Sequence, residues 1–209
     1  MINQPVQVLF IHGGMTFKSR HDYLNFLRQR EIVLENWSSW SREYLDQALG
    51  DNFEVIRPAM PLKENACYDD WLIHFERYLP LLRDNIVLIG SSLGGLFLAK
   101  YLSEQKFPKK ILSTYLVCPP FDDTLFGENL AGGFELGSDL SLLEQNCSNL
   151  RLLFARQDDV VPIDHAAKYR QQLKQAEIII YDHIAGHFKI TEFPEIIVLI
   201  KNDLQKYAN

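Results

Sequence analysis

The ten residues Ile86–Gly95, IVLIGSSLGG, constrain this chain more than any other stretch. Ile86–Ile89 reads as a buried strand, and an apolar stripe at helical spacing begins at Leu93 and continues through Leu96, Phe97 and Tyr101. Between them, Gly90-Ser91-Ser92-Leu93-Gly94 spells G-x-S-x-G in a strand–turn–helix setting, the pattern of a nucleophile elbow. So tight a reversal lifts one side chain above the sheet edge and strains its backbone. It leaves no room for bulk two residues to either side, where strand and helix nearly touch. Gly90 and Gly94 meet that demand for Ser92, whereas Ser91 lacks flanking glycines. In a chain with 11 Gly and 11 Ser, about 0.03 such matches arise by chance, so the string is read as a built feature.

The surrounding chain supplies a matching frame. Short apolar runs at Val6–Ile11, Phe53–Arg57, Ile111–Cys118, Leu150–Ala155 and Ile178–Asp182 join Ile86–Ile89 as expected strands. They barely alternate with polar residues, as parallel strands covered on both faces do. Helical stripes lie between them: Trp71–Leu82, which Pro80 should kink or end, the stretch from Leu93, Asp164 to about Lys174 with Asp164 as cap, and Phe193–Leu204. The alternation predicts a single-domain, three-layer α/β fold over residues 1–209, with a mainly parallel sheet of about six strands. Two connections exceed what such a fold needs. Gly13–Asn52 holds helical patches, including Trp37–Leu49. Phe121–Asn149 contains four glycines and is the one stretch able to cover a site, so no separate lid domain is expected.

A serine needs a base, and the base needs an orienting carboxylate. In a parallel sheet these come from loops at the C-terminal ends of other strands. Leu150–Ala155 runs into Arg156-Gln157-Asp158-Asp159-Val160-Val161-Pro162, and Ile178–Asp182 into His183-Ile184-Ala185-Gly186-His187-Phe188. Serine, acid and histidine therefore follow in the order 92, 158, 187. Asp159 and His183 compete for the last two places, as turn or strand-end residues of the kind that also satisfy local hydrogen bonds.

These motifs resemble those of the α/β-hydrolase superfamily, in particular its small, lidless serine esterases. The resemblance spans nearly the whole chain, although the first two strands of larger relatives have no counterpart. It implies Ser92 as nucleophile, His187 as base and Asp158 as acid. Asp158 stands four residues before Pro162, the family's D-x-x-V-P spacing, and Asp159 does not. Phe10-Ile11-His12-Gly13-Gly14-Met15 resembles the family's His-Gly-x loop. It would face Ser92 across the crevice where the strand order reverses, with Gly14 N–H, or alternatively Met15 N–H, joining Leu93 N–H as an oxyanion hole. His12 is expected to hold that loop. Met15, Phe121 and Phe188 are the expected substrate-contacting residues.

The implied activity is hydrolysis of a small ester through an acyl-enzyme, with no organic cofactor and no metal. Amide cleavage or acyl transfer by the same triad, or a non-catalytic binding protein on the same fold, are the alternatives. Other features exclude rather than assign. A net charge of −6 argues against nucleic acid as partner. Asp69-Asp70 and Asp122-Asp123 lack partners at ligand spacing and read as solvated turn acids. Three scattered cysteines, an N-terminal apolar run too short for a membrane span and the missing basic n-region predict a cytoplasmic protein with a small-molecule acyl substrate. Trp37, Trp40 and Trp71 are expected to pack helices.

Overall fold

All six expected strands form, and they pair side by side in one parallel sheet. The computed structural model describes residues 4–32, 34 and 38–208. The strands are β1 (Val6–Ile11), β2 (Phe53–Ile56), β3 (Ile86–Ser91), β4 (Ile111–Val117), β5 (Leu150–Gln157) and β6 (Glu177–Ala185), in the order β2-β1-β3-β4-β5-β6. The strand order reverses between β1 and β3, whose registers pair Ile11 with Gly90. Loops leaving these two strands therefore meet at one end of the sheet, the place where ligands bind in open α/β folds.

Side chains along β1 and β3 alternate between two cores, as the period of a strand requires. Leu9, Ile11, Ile86 and Leu88 enter one cluster, with Trp71 and Phe75 of α3 (Tyr68–Glu76) and Leu96, Phe97 and Tyr101 of α4 (Leu93–Glu104). Val8, Phe10, Val87 and Ile89 enter the other, with Leu45 and Leu49 of α2 (Leu45–Leu49) and Ile196, Ile197 and Ile200 of α7 (Pro194–Ala208). Both faces are covered, which explains why the strands read as continuous apolar runs. The long first connection carries α1 (Arg20–Gln29) and a turn at Trp40–Tyr44, kinked at Arg42, that leads into α2. Trp40 and Trp71 are fully buried packing residues, as expected, while Trp37 lies outside the described residues.

Two local expectations change. Asp164 does not cap α6 (Asp164–Gln172): Ile163 holds the N-cap position without a side-chain bond, and Asp164 is the first helical residue. There its charge faces the positive end of the helix dipole, which favours acids through the whole first turn as well as at the cap. The last strand extends to Ala185, because its pairing with β5 resumes beyond an irregularity at Ala155–Gln157. His183 is therefore a strand residue. Its Nε2 lies 2.7 Å from Glu195 Oε1, on the side of α7.

Candidate active site

The turn after β3 has the geometry its glycines allow. Ser92 adopts φ 54° and ψ −122°, and its N–H donates to Val117 O on β4 at 2.8 Å. A Cβ on Gly90 would stand 2.5 Å from Gly94 O, and one on Gly94 would strike the carbonyls of Ile11 and His12. Neither position accepts any other residue without moving backbone. The α4 ladder opens with the N–H groups of Gly95 and Leu96 donating to Ser92 O at 2.9 and 3.1 Å. The Leu93 and Gly94 N–H groups precede those bonds, at the positive end of the helix.

Asp158 follows β5 directly, and His187 sits two residues beyond β6. His187 Nε2 lies 2.7 Å from Ser92 Oγ, and His187 Nδ1 lies 2.9 Å from both carboxylate oxygens of Asp158. Asp158 Oδ1 also accepts the N–H groups of Val160 and Val161 at 2.8 Å each, so the turn toward Pro162 locks the carboxylate. Asp159 points elsewhere and pairs with Lys189 at 2.9 Å. Burial opposes charge on His187, yet Cys118 Sγ and the Asp158 carboxylate outweigh it and hold the imidazole pKa well above its ordinary value. Cys118 is a neighbour that sequence reasoning did not bring here. It follows β4 directly with φ 42°, is fully buried, and places Sγ 3.7 Å from His187 Nε2. Cys118, Asp158 and His187 are also the one group among the described residues with metal-ligand proximity. Their donor atoms already face Ser92 or one another.

The first-strand loop reaches Ser92 through Gly13, where a Cβ would lie 3.2 Å from Ser92 Cβ. Gly14 stands next to it under the same crowding, with Lys63 O 2.7 Å and Leu93 Cδ2 3.1 Å from where its Cβ would be. Met15 is different: its N–H donates to Lys63 O at 2.8 Å and its carbonyl accepts from Ala66 at 2.8 Å. That engagement removes Met15 N–H as the alternative oxyanion donor. His12 holds the loop as expected. Its Nδ1 bonds Gly13 O at 2.7 Å and its Nε2 accepts Met60 N–H at 3.0 Å, and burial lowers its pKa, keeping it neutral.

The three expected substrate contacts do not line the space beside Ser92. That space is walled by Gly14, Thr16, Leu93, Pro120, Leu125, Glu128, Asn129, Leu130 and Val160. Thr16 takes the place foreseen for Met15, and Pro120 the place foreseen for Phe121, whose ring instead packs edge-on against Tyr169 at 5.0 Å. Phe188 borders a separate cavity of about 360 Å3 that includes His187. Its ring is 3% exposed and packs against Tyr181 and Phe193 in the core. Their positions after strands bring both rings near the site, but packing takes up much of their large apolar area.

Residues 121–131 close over Ser92. Phe121 N–H donates to His165 Nδ1 at 2.7 Å, Phe126 N–H to Val160 O at 2.9 Å, and Lys18 pairs with Asp123 at 2.7 Å. Thr16 Oγ1 donates to Asn129 O at 2.7 Å and accepts Ala131 N–H at 2.9 Å. The cavity left beneath is about 10 Å3, room for no more than one water. Asp122 pairs with Lys168, so both acids of the Asp122-Asp123 dipeptide have cationic partners.

Residues 35–202 match the family model described as serine hydrolase. The chain belongs to the serine hydrolase family. The serine hydrolase RBBP9 of Rattus norvegicus is 24% identical over 174 residues, covering 83% of this chain and 89% of the relative. Among solved structures, the ydeN gene product from B. subtilis superposes with TM-score 0.75 at 20% identity, covering 96% of this chain and 99% of that one. The esterase domain of a Rhodothermus marinus protein gives TM-score 0.57 at 18% identity, with 100% and 88% covered. The fold is that of the α/β-hydrolases, in a single domain. This member of the serine hydrolase family has no helix among its described residues that is long and apolar enough to cross a membrane.

Proposed function

We propose that this serine hydrolase cleaves small carboxylic esters with Ser92 as nucleophile, His187 as general base and Asp158 as its orienting acid. The observation that carries the reading is the continuous relay from Ser92 Oγ to His187 Nε2 at 2.7 Å and from His187 Nδ1 to Asp158 at 2.9 Å. His187 takes the hydroxyl proton as Ser92 attacks the acyl carbonyl, and Asp158 stabilises the imidazolium that results. The Leu93 and Gly14 N–H groups receive the developing oxyanion, supported by the helix start at Leu93 and by the contact of the Gly13–Gly14 turn with Ser92 and Leu93. His187 then protonates the leaving alcohol and later activates the water that releases the acyl group.

Residues 121–149 act as a built-in cover rather than a lid domain, and the tight fit above Ser92 favours small or flexible acyl groups. No step calls for a metal or an organic cofactor. Three free cysteines suit a reducing, cytoplasmic setting. A fluorophosphonate probe tests the proposal: it should label the wild-type serine and leave Ser92→Ala unlabelled. A well-folded wild type that resists the probe would overturn the enzyme reading, and labelling retained in Ser92→Ala would overturn the choice of nucleophile.

A further inference from the structure

Acids crowd the mouth of this site, and all but one are matched by cations. Asp158 faces His187, Asp159 pairs with Lys189, Asp122 with Lys168 and Asp123 with Lys18. Glu128 breaks the pattern. It rides on the cover, lines the same small cavity as Ser92, Leu93 and Gly14, and its carboxylate has no hydrogen-bond or ion-pair partner among the described residues. The residue is half-buried, and that burial raises its pKa, with His187 and Lys189 opposing the shift and Asp158 and Asp159 adding to it.

We propose that Glu128 is a specificity-determining residue that selects esters carrying a protonated amine or quaternary ammonium close to the scissile carbonyl. The inference rests on the esterase reading above and narrows its substrate class. The physical ground is asymmetry. An ester can reach Ser92 only by displacing the cover; a neutral one then takes water from Glu128 and leaves its carboxylate unpaired, whereas a cationic one replaces that water with an ion pair in a partly enclosed space. The neighbouring cations cannot supply this pairing. Lys189 and Lys18 are engaged by Asp159 and Asp123, and His187 is committed to Ser92 and Asp158. A half-buried carboxylate that only a cationic substrate can pair favours that substrate over its neutral isostere.

The test compares isosteric pairs differing only in charge. L-alanyl and isobutyryl esters of one alcohol place the cation on the acyl side, while acetylcholine and 3,3-dimethylbutyl acetate place it on the alcohol side. In the wild type, kcat/KM should favour the cationic member of at least one pair by about tenfold or more. Glu128→Gln should collapse that ratio toward unity, lowering the rate for the cationic ester and raising it for the neutral one. Fluorophosphonate labelling of Glu128→Gln verifies that the serine site is assembled. Ratios within about threefold in both wild-type pairs, or a preference that survives in a labelled Glu128→Gln, would overturn the assignment while leaving the esterase reading intact. Failure of the wild type both to label and to hydrolyse any of the four esters would instead overturn the esterase reading on which it stands.

Discussion

Cys118 Sγ lies 3.7 Å from His187 Nε2, the nitrogen that also faces Ser92 Oγ at 2.7 Å. Two potential nucleophiles thus face one imidazole nitrogen, but their settings differ. Ser92 opens into the cavity, whereas Cys118 is fully buried behind the imidazole. Ser92→Ala should therefore lower kcat by about three orders of magnitude or more. The double variant Ser92→Ala with Cys118→Ala should show the same residual rate. A further drop in the double variant would mean that the thiol takes over when the hydroxyl is lost.

The raised pKa of His187 gives opposite pH slopes to activity and to stability. Catalysis needs the neutral imidazole, so kcat/KM should climb with pH along an acid limb centred above the ordinary histidine value near 6.5. The ion pair with Asp158 favours the charged form in the folded state. Its stabilising contribution is complete below about pH 6.5 and fades as pH rises through the higher folded value. Replacing Asp158 with Asn should move the acid limb down in pH and reduce kcat by about 10⁴-fold. A pH–rate profile together with melting temperatures over the same range checks both slopes.

Backbone crowding at the elbow yields a sharp contrast between glycines. Gly94→Ala drives a methyl into the carbonyls of Ile11 and His12, where no side chain can yield. It should cost about 1–3 kcal/mol or more, with loss of probe labelling. Gly137 has nothing within 4 Å of where its Cβ would be, so Gly137→Ala should stay within about ±0.5 kcal/mol. Denaturant unfolding of the two variants measures the difference.

Thr16 pins the cover by two hydrogen bonds, one to Asn129 O and one from Ala131 N–H. Thr16→Val keeps the shape and removes both. It should destabilise the fold by about 1–3 kcal/mol and raise the rate for long-chain esters relative to acetate. Measuring kcat/KM over acetyl, butyryl and octanoyl esters of one alcohol tests this, and an unchanged chain-length profile would separate the cover from selectivity.

The parts of the site legible in the sequence were those where backbone geometry restricts residue type. Gly90 and Gly94 announce the elbow because only glycine fits there, and Asp158 and His187 announce themselves by following apolar strands. The family spacing to Pro162 favours Asp158 over Asp159, and the Val160 and Val161 N–H groups that Asp158 accepts support that choice. What stayed hidden depends on tertiary placement. Cys118 reads as one more apolar strand residue until β4 sets it beside His187. Glu128 and Thr16 carry no local pattern, and they meet only because segments more than a hundred residues apart bond across the cavity. Phe121 and Phe188 show the converse: a large aromatic close to such a loop is readily recruited by core packing, here against Tyr169 and against Tyr181 and Phe193.

The sheet order has a consequence for when the chain becomes reactive. The proposed nucleophile and oxyanion loop come from β3 and β1, adjacent strands built from the first half of the chain, while the proposed base arrives only after β6, the edge strand. A chain ending before β6 would carry Ser92 without His187. The proposed nucleophile therefore gains its proposed base only with the outermost strand in place, so probe labelling at Ser92 would report that β6 has docked.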